Sequence, residues 1–200
     1  MKRLALCIAA LLVLAGCGQN DSPAPVTPAS PTSTPSVTPT PAAEPTLDGD
    51  VATGLQAPWS VVPLSGDRAL ISERNTARIL LLANGTAKAI GNLPEVLPGG
   101  EGGLLGLAVQ SPDPDTVFAY YTSAVDNRVV AFDFDGSNLS NERPVFTGIP
   151  KGQIHNGGRI AFGPDGYLYV TTGETGQPDL AQDRTSLGGK RGMGLTAALE

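Results

Sequence analysis

One recurrence constrains this chain more than any other feature. From residue 58 onward, short apolar runs alternate with turn residues, and the same unit comes round three times. The first unit holds Trp59 to Leu64, the Gly66-Asp67 turn, Ala69 to Ser72, Arg78 to Ala83, then Asn84-Gly85 and Thr86 to Ile90. Asn-Gly takes φ > 0 readily at both positions and is the strongest short hairpin signal. The second unit opens at Leu104 to Val109 and continues with Thr116 to Thr122. That second run is β-prone through its aromatic and β-branched residues. Arg128 to Phe134 follows, then the Asp135-Gly136 turn and a weaker strand over Pro144 to Gly148. The third unit has Arg159 to Phe162, the turn Gly163-Pro164-Asp165-Gly166, and Tyr167 to Thr172.

First strands therefore begin near residues 59, 104 and 159. The spacing of about 45 to 55 residues fits one four-stranded propeller blade. A β-sandwich also uses many short strands, but the repeated order of apolar run, turn and aromatic run favours the propeller. The expected fold is all-β, with four-stranded antiparallel blades, and residues 47–190 supply only two to three of them. A propeller needs at least four blades to close. Composition agrees with a non-helical chain. The 25 glycines and 18 prolines exceed the usual combined share of roughly 12%, and both residues interrupt regular structure.

Part of that excess lies outside the repeats. Residues 1–16 read as a signal peptide: Lys2 and Arg3, an apolar Leu4 to Leu14, then small Ala15 and Gly16. The apolar stretch is too short to span a bilayer as a stable helix. Leu14-Ala15-Gly16-Cys17 resembles the bacterial lipobox, which implies a Cys17 acylated on sulfur and an extracytoplasmic, lipid-anchored location. The alternative is an ordinary secretory signal with an incidental Cys17. Residues 17–46 form a Pro/Thr/Ser-rich linker, with eight prolines between Pro23 and Pro45 and too little apolar bulk for a core. Such chain prefers extended, semi-rigid conformations and serves as a tether.

The formal net charge is −6 and the pI about 4.7. Nucleic-acid binding, which needs a clustered basic surface, is not expected. With Cys7 in the removed segment and Cys17 acylated, cysteine offers neither disulfide nor metal chemistry.

His155 is the only histidine and lies in a Gly-rich loop directly before an apolar strand. A loop feeding an innermost blade strand opens on the face of the central channel, where an imidazole can act as general base. A surface histidine in a turn is the plainer alternative. Glu101, in Gly99-Gly100-Glu101-Gly102-Gly103, holds a similar place in the preceding repeat. The two side chains are expected to face one channel. Glu174 follows the strand 167–172, where a solvated turn carboxylate is the simplest reading. The sequence has no P-loop, no Gly-x-Ser-x-Gly and no second histidine to complete a His-based metal site, so metal ligands stay unassigned.

Taken together, Gly102-Gly103-Leu104-Leu105-Gly106-Leu107-Ala108, His155-Asn156-Gly157-Gly158-Arg159, Phe162-Gly163-Pro164-Asp165-Gly166 and Thr172-Gly173-Glu174 resemble the PQQ-dependent sugar dehydrogenase family. Ala181-Gln182-Asp183 and Ser186-Leu187-Gly188-Gly189-Lys190 fit the same pattern. The resemblance spans residues 50–190. It implies a six-bladed propeller that binds pyrroloquinoline quinone (PQQ) and calcium on its top face. His155 matches the family's general base, which takes the proton of the sugar C1 hydroxyl while hydride passes to the quinone. Glu101 and Glu174 match polar and acidic positions beside that pocket. Arg159 is grouped with the binding residues, with a structural role, closing the loop after the histidine, as its main reading.

By the same resemblance, the cations for the quinone carboxylates and the calcium ligands belong to later blades. Residues 191–200 lack strand alternation and a β-branched run, and are expected to be an aberrant tail after a frameshift or premature stop near residue 190. The expectation is thus a sugar dehydrogenase, truncated and inactive if its ring cannot close. The alternative is a non-catalytic, propeller-like surface lipoprotein that binds partners. An open edge after Thr172 is expected to favour self-association.

Overall fold

The computed structural model describes residues 46–190 and 192–195, of which all but Thr46 belong to the unit Leu47–Glu200. The signal segment, Cys17 and nearly all of the linker lie outside the described residues, as do positions 191 and 196–200.

Three antiparallel sheets follow one another along the chain, and neighbouring strands are consecutive in sequence throughout. The first sheet is β1 (Pro58–Leu64), β2 (Arg68–Glu73), β3 (Arg78–Ala83) and β4 (Thr86–Asn92). The second is β5 (Leu104–Ala108), β6 (Thr116–Thr122), β7 (Asn127–Phe134) and β8 (Leu139–Ile149). The third contains β9 (Gly157–Phe162) and β10 (Leu168–Thr172), then a four-residue helix α1 (Asp179–Gln182) and β11 (Met193–Leu195), which pairs with β10. The first strands β1, β5 and β9 lie side by side.

Turn chemistry sets the hairpins. Asn84 and Gly85 have φ of 50° and 71°, the doubly positive pattern that matches the twist of the flanking strands. At Asp135 the carboxylate accepts the N–H groups of Ser137 and Asn138 at 2.8 and 2.7 Å, closing the β7–β8 turn around Gly136.

Sheet burial follows the apolar pattern. β5 and β6 are buried at every position, as expected of continuous apolar runs rather than alternating ones. One face of the second sheet packs on the first through Leu70, Ile79, Leu104, Val117, Tyr121 and Phe132. The other packs on the third through Leu105, Phe118, Tyr120, Ile160, Leu168 and Val170. Phe118 and Phe162 meet edge-to-face across that seam, with centroids 5.2 Å apart. The outer face of the first sheet is covered by Ala52 and Leu55. On the third sheet Tyr167 and Tyr169 remain exposed.

Polar ties fix the first strands against each other. The Ser72 hydroxyl donates to the Leu105 carbonyl at 2.6 Å and accepts from the Ser60 N–H at 3.0 Å. The Leu107 N–H donates to the Ser60 hydroxyl at 3.2 Å. A Cβ at Gly106 would overlap the carbonyl oxygen of Gly158, so β5 and β9 approach closely only because this position has no side chain.

Three details differ from the sequence reading. β8 begins at Leu139, well before Pro144, because bulges let it follow β7 through an irregular register. The edge after Thr172 is not open: Leu168, Tyr169 and Val170 pair with Leu195, Gly194 and Met193. Strand pairing here comes from a partner backbone rather than from side-chain propensity, so the tail reads as structureless in sequence. The helix α1 is also absent from the sequence reading. Lys190 holds its C-terminal end, donating to the carbonyls of Leu180 at 2.8 Å and Ala181 at 3.4 Å.

Candidate active site

Two loops meet where the second and third sheets abut. The loop 99–103 leads into β5 and the loop 150–156 leads into β9. The Glu101 N–H donates to the Gln153 carbonyl at 2.8 Å. The His155 N–H donates to Glu101 Oε2 at 2.6 Å. Glycines allow this approach: a Cβ at Gly100 would overlap the Gln153 carbonyl oxygen, and one at Gly103 would overlap that of Arg74.

The third contributor comes from the end of β10. Glu174 Oε1 accepts from Nδ1 of His155, and Glu174 Oε2 accepts the Gly176 N–H at 2.7 Å. A Cβ at Gly173 would overlap the His155 carbonyl oxygen, and the Thr175 N–H donates to that oxygen at 3.2 Å. His155 is thus held from both main-chain ends and at one ring nitrogen.

The electrostatics follow from this geometry. The hydrogen bond and the charge of Glu174 raise the His155 pKa above its ordinary value, with Glu101 adding at longer range. The same imidazole hydrogen bond lowers the Glu174 pKa, helped by the Gly176 N–H. A carboxylate on Nδ1 assigns the ring proton to that nitrogen in the neutral form and leaves the Nε2 lone pair to accept. Among the described residues nothing hydrogen-bonds Nε2, and the His155 side chain is 54% exposed against 23% for Glu174. The arrangement is a carboxylate–imidazole pair whose free nitrogen faces solvent, the geometry of an oriented general base.

Glu101, His155 and Glu174 are therefore brought together. Arg159 is placed elsewhere. Its guanidinium carbon lies 4.3 Å from the centroid of the Trp59 ring, a cation–π contact between β9 and β1. Its main chain exchanges hydrogen bonds with the Thr171 hydroxyl at 3.1 and 3.0 Å. Both contacts tie β9 to its neighbours β1 and β10.

Sequence reasoning missed Asn156, which is buried beside His155 and bonded to Asn127 and Gly152. An asparagine among glycines reads as a turn residue, and only burial sets it apart. Among the described residues, no group of three or more His, Cys, Asp or Glu side chains could hold a metal ion.

The glucose/sorbosone dehydrogenase family model matches residues 55–192. The PQQ-bound aldose sugar dehydrogenase of Streptomyces coelicolor superposes with a TM-score of 0.71 at 47% identity, covering 76% of this chain and 48% of that one. A glucose dehydrogenase-like oxidoreductase of Thermus thermophilus gives 0.69 at 44% identity, covering 74% and 46%. The aldose sugar dehydrogenase YliI of Escherichia coli is 30% identical over 68% of this chain and 40% of its own length. The chain spans less than half of each of these three proteins.

Proposed function

We propose that this chain, which belongs to the glucose/sorbosone dehydrogenase family, carries the proton-accepting half of a quinone-dependent aldose dehydrogenase site. The observation that carries the reading is the His155–Glu174 pair, open at Nε2 and bordered by Glu101. Oxidising an aldose at C1 removes the hydroxyl proton and the C1 hydride, leaving a lactone. Nε2 of His155 takes the proton, and Glu174 stabilises the imidazolium that forms. Glu101 fixes the main chain of His155 and offers a carboxylate to a sugar hydroxyl.

PQQ, when bound, supplies the acceptor for the hydride. The three-residue cluster fits the sugar side of such a site. It holds two carboxylates and no cation other than the imidazole, so it suits hydroxyl donors and not the carboxylates of the quinone. Holding PQQ and calcium is therefore left to residues outside this cluster. The same proposal makes the three sheets blades of a six-bladed ring, with β1, β5 and β9 as innermost strands of those blades.

The test is reconstitution with PQQ and calcium, followed by dye reduction with glucose and other aldoses. Aldose-dependent turnover lost in His155→Ala is the expected result. Failure to bind PQQ, or turnover that survives His155→Ala, would overturn the reading and leave a binding role for the chain. We further propose that acyl chains on Cys17 tether the protein outside the cytoplasm, supported by the Leu14-Ala15-Gly16-Cys17 pattern. Labelled palmitate should enter the parent and not Cys17→Ser.

A further inference from the structure

His155 has a φ of 54°. A residue with a β-carbon in this left-handed region is strained, so surrounding structure must hold it there. Glu101 and Thr175 take its own N–H and C=O. The following residue, Asn156, is 2% exposed and has its side-chain oxygen, its side-chain nitrogen and its carbonyl engaged. Its Oδ1 accepts from Asn127 Nδ2 at 3.0 Å and from the Gly152 N–H at 2.9 Å. Its Nδ2 donates to the Gly152 carbonyl at 2.8 Å. Its main-chain carbonyl accepts from the Tyr120 hydroxyl at 2.9 Å.

Behind it, Asn127 is fully buried, donates to the Pro150 carbonyl at 2.7 Å and accepts from the Thr122 hydroxyl at 2.6 Å. Burial, aided by the charge of Asp126, pushes the Tyr120 phenol well above its ordinary pKa, so its hydroxyl remains a donor. The network anchors the loop before β9 to β6 and β7, in the most buried sheet of the fold.

We propose that Asn156, backed by Asn127 and Tyr120, is a positioning residue that holds His155 in its left-handed conformation and aims the imidazole at Glu174. The proposal deepens the reading of His155 as the base and rests on it for its catalytic meaning. The geometry itself is testable without turnover.

The chain has one histidine, so its imidazole gives a single NMR titration curve with no cofactor or sugar present. Glu174 and Glu101 are the charged groups that face it, and both remain in the variants. In the full 200-residue chain, Asn156→Ala should lower the His155 pKa toward that of free imidazole and broaden the Nδ1–H signal. Tyr120→Phe keeps the ring in its apolar cluster, removes only the donor to Asn156, and should shift the curve the same way by a smaller amount. An unmoved curve in folded Asn156→Ala overturns the proposal. If that variant does not fold, an unmoved curve in Tyr120→Phe overturns it. Failure of the parent to bind PQQ would overturn the dehydrogenase reading and leave this result standing, so the two failures are distinguishable.

Discussion

The main-chain N–H of His155 donates to Oε2 of Glu101 at 2.6 Å, from loops 54 residues apart in sequence. Equivalent entry loops of two successive sheets thus share a carboxylate. Removing that acceptor frees a loop whose central residue is already strained. Glu101→Ala should reduce kcat about tenfold, as expected for loss of one charge-assisted hydrogen bond. Glu101→Gln keeps an acceptor oxygen and should recover most of the loss. Steady-state kinetics with the PQQ-loaded protein checks both.

Glu174→Gln keeps the shape of the pair and removes its charge. We expect kcat to fall by about 10²-fold or more, the range typical of a lost acid–base contribution. The acid limb of the kcat/KM profile should lie above the ordinary imidazole pKa in the parent, because Glu174 favours the protonated ring. In the variant that limb should move down.

The same pair makes stability depend on pH. The raised pKa of His155 contributes stability that is complete below the unfolded value of about 6.5 and is lost as pH rises through the folded value. The lowered pKa of Glu174 contributes above its unfolded value and is lost as pH falls through its folded value. Thermal unfolding of the parent and of His155→Ala should therefore differ most between those limits. A difference that instead grows at high pH would contradict the ion pair.

Gly106 and Gly173 are places where the backbone itself comes close. An added methyl at Gly106 overlaps the Gly158 carbonyl, and one at Gly173 overlaps that of His155. Each Gly→Ala change should cost about 3 kcal/mol in urea unfolding, near the upper end for overpacking. Only Gly173→Ala should also displace the imidazole resonance.

Arg159 and Trp59 offer a contrast. Arg159→Ala should lower stability by about 0.5–1 kcal/mol, the worth of an exposed cation–π contact. Trp59 is the only tryptophan, so its fluorescence reports the loss directly. The His155 titration should not move.

The repeat was legible because short apolar runs and turn residues recur in the same order, most plainly at β5, a buried run preceded by Gly102 and Gly103. The runs expected near 59, 104 and 159 lie in strands that begin at Pro58, Leu104 and Gly157. Asn84-Gly85 announced its hairpin through backbone preference alone. His155 and Glu101 could be picked out as polar residues in Gly-rich loops before first strands, whereas Glu174 alone read as a solvated carboxylate after the strand 167–172. Asn156 and Asn127 could not, because their role depends on burial between sheets that are distant in sequence. β11 was hidden for a related reason: the edge of β10 specifies it, and not its own residues.

The second sheet is covered on both faces, whereas the third leaves Tyr167 and Tyr169 in solvent. The site straddles that boundary. Glu101 precedes β5 of the doubly covered sheet, and Glu174 follows β10 of the singly covered one. Amide exchange should therefore be slowest along β5 and β6 and faster along β10. At the candidate site, the amides entering β5 beside Glu101 should accordingly outlast those leaving β10 beside Glu174.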